Sequence, residues 1–350
     1  MKFFFFKIIS YLQRKKKIKY SKNLFYEEVY LLFCYNLGLG DFIMLSPILN
    51  HLKKHENIKS LTVVTHLPDI FIEKFKYVTF IKFFIKVIFS KKKILIISPS
   101  VNFFHGLSFF LNKPMIGYFG SNDFYSNIKD FRIKYRFDGV DDHYNKRLIP
   151  LFKLFNSKNK INNFNYCHVQ ERKPKIRNIR QSIFVSPYKL NQSMRWDKNN
   201  FIKILYYLKK KFKNNIIYII GGIDKDNILY NREISLKTGA VDLTGKLNIL
   251  ELNYIIKNCL LFIGLDNFLS HLSYASNKPS IIIFGSTSPK LRAPKITKKT
   301  FFLKSNKNIC KHFPCFNSVD YKGCVNNIEY KCIKSIKVSS LENLINKLDL

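Results

Sequence analysis

The sequence predicts two α/β domains in tandem, each built on a parallel sheet covered on both faces. Three observations carry that expectation. Short, near-continuous apolar runs recur along the chain and alternate with segments of helical periodicity, the pattern of strands buried on both faces between helices. At 350 residues the chain is long enough for two cores of ordinary size. A charged stretch carrying Pro174, Glu171–Arg180, breaks the alternation near mid-chain and reads as a linker. The expected division is a basic, aromatic N-terminal segment at 1–22, a first domain at 23–170, a linker at 171–182 and a second domain at 183–350.

The first segment, "MKFFFFKIISYLQRKKKIKYSK", has an apolar part, Phe3–Leu12, that contains Lys7 and is too short to span a bilayer. It lacks the small-residue cleavage site of a secretory signal. Aromatic residues followed by Arg14-Lys15-Lys16-Lys17 suit an interfacial anchor on an anionic leaflet; a plain basic terminus is the alternative. In the first domain Val29–Cys34, Leu61–Thr65, Ile94–Ser98 and Met115–Tyr118 read as strands, and Ile43–Lys54 as a helix. Val78–Ile97 is apolar, but Lys82, Lys86 and Lys91–Lys93 interrupt it, so it is no membrane span. In the second domain Ile183–Ser186, Ile216–Ile220, Leu260–Gly264 and Ser280–Phe284 read as strands, with helices at Phe201–Phe212 and Leu250–Asn258.

The composition narrows the classes. Hydrophobic residues at 47% exclude a largely disordered chain. A net charge of +37 suits an anionic partner such as a membrane surface, nucleic acid or a phosphorylated substrate. The excess is spread along the chain, as a general drift toward Lys, Asn, Ile and Phe would leave it, and no basic face or nucleic-acid-binding module stands out. Nucleic acid is therefore not an expected partner. Four late cysteines, Cys310, Cys315, Cys324 and Cys332, are separated by four, eight and seven residues, a spacing without the short CxxC of common zinc sites. Buried thiols or a structural metal are both open on that pattern; no metal site is assigned.

The residues with chemistry to offer lie where strands end. "YNLGLGDFIMLSPILNHLKK" places Asp41 where the first strand gives way to a helix. Ligands of open α/β sheets bind outside the carboxyl ends of the strands, and Gly38 and Gly40 let backbone approach a ligand. The helix starts either at Gly40, with a kink at Pro47, or at Ser46 with Pro47 in its first turn. In either case the helix dipole favours the carboxylate form of Asp41. An ionised carboxylate facing a cleft suits a general base; an N-capping Asp is the competing reading. In the second half Leu265–Ser270 again follows a strand, flanked by Asp266 and His271, with helix N–H groups available to an anion. "DLTGK" offers Thr244 and Lys246 around a glycine turn. P-loop, GxGxxG, HExxH and GxSxG motifs are absent, which excludes the NTPase, dinucleotide, zincin and α/β-hydrolase signatures.

The order "GLGDFIMLSPILNHLK", "SPYKLNQSMRWDKNNFIKILYYLKK", "IIYIIGG" and "DLTGKLNILELNYIIKNCLLFIGLDNFLSHLSYASNKPSIIIFGSTSP" resembles glycosyltransferase family 9, the bacterial ADP-heptose:lipopolysaccharide heptosyltransferases, from Val29 to the C-terminus. The resemblance implies a GT-B fold, two Rossmann-like domains facing across a cleft, with the acceptor on the first and the nucleotide sugar on the second. It implies a peripheral enzyme at the cytoplasmic face of the inner membrane, acting on a lipid-linked saccharide with ADP-heptose as donor and without a cofactor. The family's general base maps onto Asp41. Its donor loop maps onto Asp266, Asn267, Phe268 and His271, with Thr244, Lys246 and Arg195 as further donor contacts. Inverting transfer without a divalent metal is expected, since no Asp-x-Asp pair sits near the donor loop. A non-catalytic relative that binds sugar nucleotide or glycolipid is the alternative. The chain departs from the family in three places. Met194-Arg195-Trp196 stands where Lys-Arg-Trp is usual, Pro187-Tyr188-Lys189-Leu190 where Pro-Gly-Ala-Ser is usual, and Phe268 where a glycine is usual. Arg195 can bind phosphate bidentately in place of the missing lysine.

Overall fold

The computed structural model describes residues 25–33, 38–99, 113–119, 123–126, 146, 148–154, 166–293, 299–315, 324 and 329–348. The basic segment 1–22 lies outside them. The chain divides into two compact units, Met1–His168 and Val169–Leu350.

The first unit holds a six-stranded sheet of β1 (Glu28–Leu32), β2 (Leu61–Val64), β3 (Lys76–Val78), β4 (Ile94–Ser98), β5 (Met115–Phe119) and β6 (Asp123–Ser126), in the order β3-β2-β1-β4-β5-β6. All its pairings are parallel except β5 with β6. Alternation along β1 sorts the side chains. Tyr30 and Leu32 join Val64, Ile94 and Ile96 on one face, and Phe33 beyond the strand meets Phe42 with ring centroids 4.6 Å apart.

The two helix starts left open by the sequence are both used. Helix α1 (Leu39–Leu45) and helix α2 (Pro47–Lys53) meet at Ser46, which keeps helical angles of φ −57° and ψ −26°. Pro47 has no N–H to lose at the first position of α2. Ser46 instead holds the end of the unit: its Oγ accepts from the Cys167 N–H at 2.8 Å, and its carbonyl accepts from the Cys167 thiol at 3.3 Å. Helix α3 (Phe80–Phe89) crosses from β3 to β4 and packs Phe80, Phe83 and Val87 on the sheet.

The second unit holds β7 (Ile183–Ser186), β8 (Ile217–Ile219), β9 (Val241–Asp242), β10 (Leu261–Leu265), β11 (Ser280–Phe284) and β12 (Thr300–Lys304) in the order β12-β11-β10-β7-β8-β9, every pair parallel. Its longer helices are α4 (Lys198–Lys211), α5 (Lys225–Thr238), α6 (Ile249–Asn258), α7 (Phe268–Ser276) and α8 (Val338–Asn346). One core face joins Ile183, Val185, Ile263 and Ile283 to Trp196, Phe201, Leu205 and, from α8, Leu341 and Ile345. The Trp196 indole N–H donates to the Ile336 carbonyl at 2.9 Å, tying the C-terminal segment to the loop after β7. Residues 171–182 run within this unit, where the Arg172 N–H donates to the Leu250 carbonyl.

Each sheet reverses its strand order beside its first strand, between β1 and β4 in one unit and between β7 and β10 in the other. Those switch points are where an open α/β sheet leaves a crevice for a ligand.

Candidate active site

Asp41 follows β1, at the first unit's switch point, as the third residue of α1. Its Oδ2 accepts from the Gly38 N–H at 3.2 Å, so Gly38 is the N-cap residue and Asp41 closes a capping box from the third helical position.

In the second unit the switch point is bridged by side chains. Asn267 opens α7: its Oδ1 accepts from the N–H groups of Leu269 and Ser270 at 2.9 and 3.3 Å, while its Nδ2 donates to Ser186 Oγ at 3.0 Å. One residue thus caps the helix and links the ends of β10 and β7. The cap also occupies two of the N–H groups that the sequence assigned to an anion. Asp266, beside it, is buried; its Oδ2 accepts from the Thr287 hydroxyl at 2.8 Å, and its Oδ1 lies 4.0 Å from His271 Nε2. His271 is itself buried and meets the Tyr274 ring edge-on at 5.6 Å. Asp266, Asn267 and His271 are thus gathered at this end of β10, with Phe268 half-buried at the start of α7.

Lys189 is the residue the sequence reading passed over. Its Nζ donates to the Asp266 carbonyl at 2.7 Å, which brings an ammonium to the loop after β10 from the segment after β7. The sequence marks Lys189 only as part of the Pro187–Leu190 departure from the family pattern, three residues past a buried strand, and gives it no role.

Arg195 packs its guanidinium over Tyr188 at 4.8 Å and Tyr230 at 5.6 Å and donates to the Leu190 carbonyl at 3.1 Å. This aromatic shelf orients the guanidinium. Burial raises the pKa of Tyr188 and Tyr230 above the ordinary phenol value, so both stay neutral beside it. Met194, where the family lysine would stand, is buried, and the turn carrying it packs against Gly285. A Cβ on Gly285 would lie 2.1 Å from the Ser193 carbonyl oxygen and 2.8 Å from Met194 Cα.

Thr244 and Lys246 belong to a second group, at the ends of β8 and β9. Gly245, at φ +71°, makes the turn that "DLTGK" forecast. The Thr244 hydroxyl, however, faces inward: it accepts from Asn231 Nδ2 at 2.9 Å, and the same amide nitrogen donates to Asn227 Oδ1 at 2.9 Å. Lys246 Nζ donates to the Asp242 carbonyl at 2.7 Å at the surface. Among the late cysteines, Cys310 and Cys332 pack with Phe313. Among the described residues, no three His, Cys, Asp or Glu side chains are grouped to hold a metal ion.

Residues 154–323 match the family model described as glycosyltransferase family 9 (heptosyltransferase). This stretch belongs to glycosyltransferase family 9. The chain is a glycosyltransferase on that assignment, and the residues just described lie largely inside the matched region. A comparison with curated proteins finds no match. Among solved structures, the family 9 glycosyltransferase from Veillonella parvula DSM 2008 is 16% identical, with a TM-score of 0.64 over 93% of this chain and 98% of that one. The E. coli ADP-heptose lps heptosyltransferase II is 11% identical, with a TM-score of 0.60 over 91% and 97%. The E. coli heptosyltransferase WaaC with ADP is 12% identical, with a TM-score of 0.61 over 91% and 99%. At these identities the likeness is one of fold, and the GT-B architecture of two Rossmann-like units is shared. The chain described here keeps that fold, with Lys189 bound to the loop after β10 and Met194 buried against Gly285.

Proposed function

We propose that the protein is an inverting glycosyltransferase that moves a heptose from ADP-heptose onto a lipid-linked core saccharide of lipopolysaccharide, without a divalent metal, at the cytoplasmic face of the inner membrane. The observation that carries the reading is the bridged switch point of the second unit. There Lys189, Asn267 and the start of α7 meet at the carboxyl ends of β7 and β10, the position where a nucleotide diphosphate binds such a sheet. The ADP and the ADP-D-beta-D-heptose named for solved structures of this fold support the donor class.

In this reading Asp41 takes the proton of the acceptor hydroxyl as its oxygen attacks the anomeric carbon. The bond from that carbon to the diphosphate breaks, its electron pair leaves with ADP, and the configuration inverts. The transition state is oxocarbenium-like, as in glycoside hydrolysis. Lys189, Arg195 and Lys246 are the cations available to the departing charge. Gly38 and Gly40 admit the acceptor close to backbone.

A non-catalytic nucleotide-sugar-binding relative is the second reading, favoured by the buried Met194 at the usual lysine position. One assay separates them. The purified protein, given ADP-heptose and a lipopolysaccharide core acceptor, should release ADP and extend the acceptor by one heptose. Donor binding without ADP release would favour the second reading. A thermal-shift screen in which UDP- or GDP-sugars stabilise the protein and ADP-heptose does not would overturn the donor assignment.

A further inference from the structure

Helix α3 is apolar on two opposite faces. Phe80, Phe83 and Val87 pack on the first unit's sheet. The other face carries Ile81, Ile85 and Ile88, spaced by four and three residues so that they share one stripe, with Phe89 beside Ile85. These side chains are 73%, 55%, 58% and 80% exposed. Four large apolar side chains in contiguous exposure form a patch, not the scattered exposure ordinary for a surface.

The surroundings of the stripe are basic. Lys82 and Lys86 are exposed along its border, and Lys91, Lys92 and Lys93 are exposed just beyond the helix end. The helix has no acidic residue. Among the described residues, Glu28 pairs with Lys92 at 2.7 Å, and Glu27 accepts from the Lys93 backbone N–H. Isoleucine and phenylalanine between lysines, on a helix too short to cross a bilayer, are the composition of a segment that lies in the plane of a membrane interface.

The geometry points to the outward face of α3 as a docking surface for an anionic lipid bilayer, with Ile81, Ile85, Ile88 and Phe89 entering the headgroup boundary and the lysines meeting the phosphates. Charge complementarity selects this occupant over a second copy of the chain. A second copy would bring the same lysines against themselves, and like charges at close range oppose association. The inference deepens the proposed reading, in which the acceptor is lipid-linked, but its test does not depend on turnover.

The test uses the full-length protein and vesicles of phosphatidylglycerol with phosphatidylethanolamine, against neutral phosphatidylcholine vesicles. The triple variant Ile81→Ser, Ile85→Ser, Ile88→Ser should lower the partition coefficient onto anionic vesicles by about tenfold or more, with its melting temperature kept because these side chains are exposed. Lys82→Gln with Lys86→Gln should lower it by several-fold and flatten its salt dependence. In Phe89→Trp, anionic vesicles should shift the added indole's emission to the blue, and brominated acyl chains should quench it. Unchanged partitioning of the triple variant, or indole emission from Phe89→Trp that is indifferent to vesicles, would overturn the inference and leave membrane attachment to other parts of the chain. A wild-type dimer that the triple variant converts to monomer would overturn it in favour of a second copy on this face. Full turnover of a soluble acceptor by the triple variant, with lost partitioning, would uphold the inference separately from the catalytic reading.

Discussion

The ammonium of Lys189 sits 2.7 Å from the carbonyl oxygen of Asp266, joining the segment after β7 to the loop after β10. A cation thereby rests beside the N-terminal end of α7, where the local backbone already favours negative charge. The family's usual lysine lies five residues further on, at a position this chain fills with a buried methionine. The positive charge is displaced along the loop.

Lys189→Met should therefore raise the Kd for ADP by about tenfold to a hundredfold, the worth of one charge-assisted hydrogen bond. Calorimetric titration of ADP checks this. Lys189→Arg should restore part of the loss, and a variant binding ADP like wild type would remove Lys189 from the donor site.

Asp41→Asn keeps an oxygen for the Gly38 N–H but cannot take a proton. Turnover should fall by about 10²–10⁴-fold, while the melting temperature holds, because the amide oxygen still accepts from the Gly38 N–H. Initial rates of ADP release, paired with a melting curve, separate the two roles. Near-full activity would leave Asp41 a cap alone.

Thr244 offers a contrast. Its hydroxyl satisfies Asn231 inside the unit, so Thr244→Val should cost about 1–3 kcal/mol of stability by stranding a buried amide. Denaturant unfolding measures that loss. A large fall in ADP affinity at unchanged stability would instead return Thr244 to the phosphate.

Gly285→Ala forces a Cβ into backbone that cannot yield as a flexible side chain would. The turn from Gln192 to Met194 must move, at about 1–3 kcal/mol, and Arg195 moves with it. A lower melting temperature with weaker ADP binding is the expected pair of outcomes.

His51, on α2, is held down to a pKa of about 4, first by burial and then by the neighbouring His55. Its value in the unfolded chain is about 6.5. Between those values the unfolded chain takes up a proton that the folded chain refuses. Stability should be level with respect to this group above pH 6.5 and decline as the pH falls toward 4. Unfolding curves across that range should show the decline, and His51→Gln should lessen it.

The strands read from the sequence and those it missed differ in one physical respect. Val29–Cys34, Ile94–Ser98, Leu260–Gly264 and Ser280–Phe284 were legible because interior strands of a parallel sheet are covered on both faces. The four not foreseen, β3, β6, β9 and β12, are the four edges of the two sheets. An edge strand bonds on one side only, and β3, β9 and β12 are short or partly solvated, so no continuous apolar run marks them. Helix α3 was read only as an interrupted apolar run, because its lysines obscured the four-residue spacing. At the site, Asp266, Asn267 and His271 were legible as a loop after a strand. The contacts of Lys189 with Asp266 and of Thr244 with Asn231 span 77 and 13 residues, and no local pattern encodes such pairings.

The hold of Ser46 on Cys167 has a consequence for synthesis. Both hydrogen bonds join residues 121 positions apart, and His168 is fastened nearby through its carbonyl to the Ile72 N–H. The first unit therefore receives its closing contacts from its last residues. On the ribosome, the helix pair around Ser46 emerges long before its latch, and closure must wait until Cys167 has left the exit tunnel. By then translation has already entered β7, so the nascent chain passes directly from completing one sheet to starting the next.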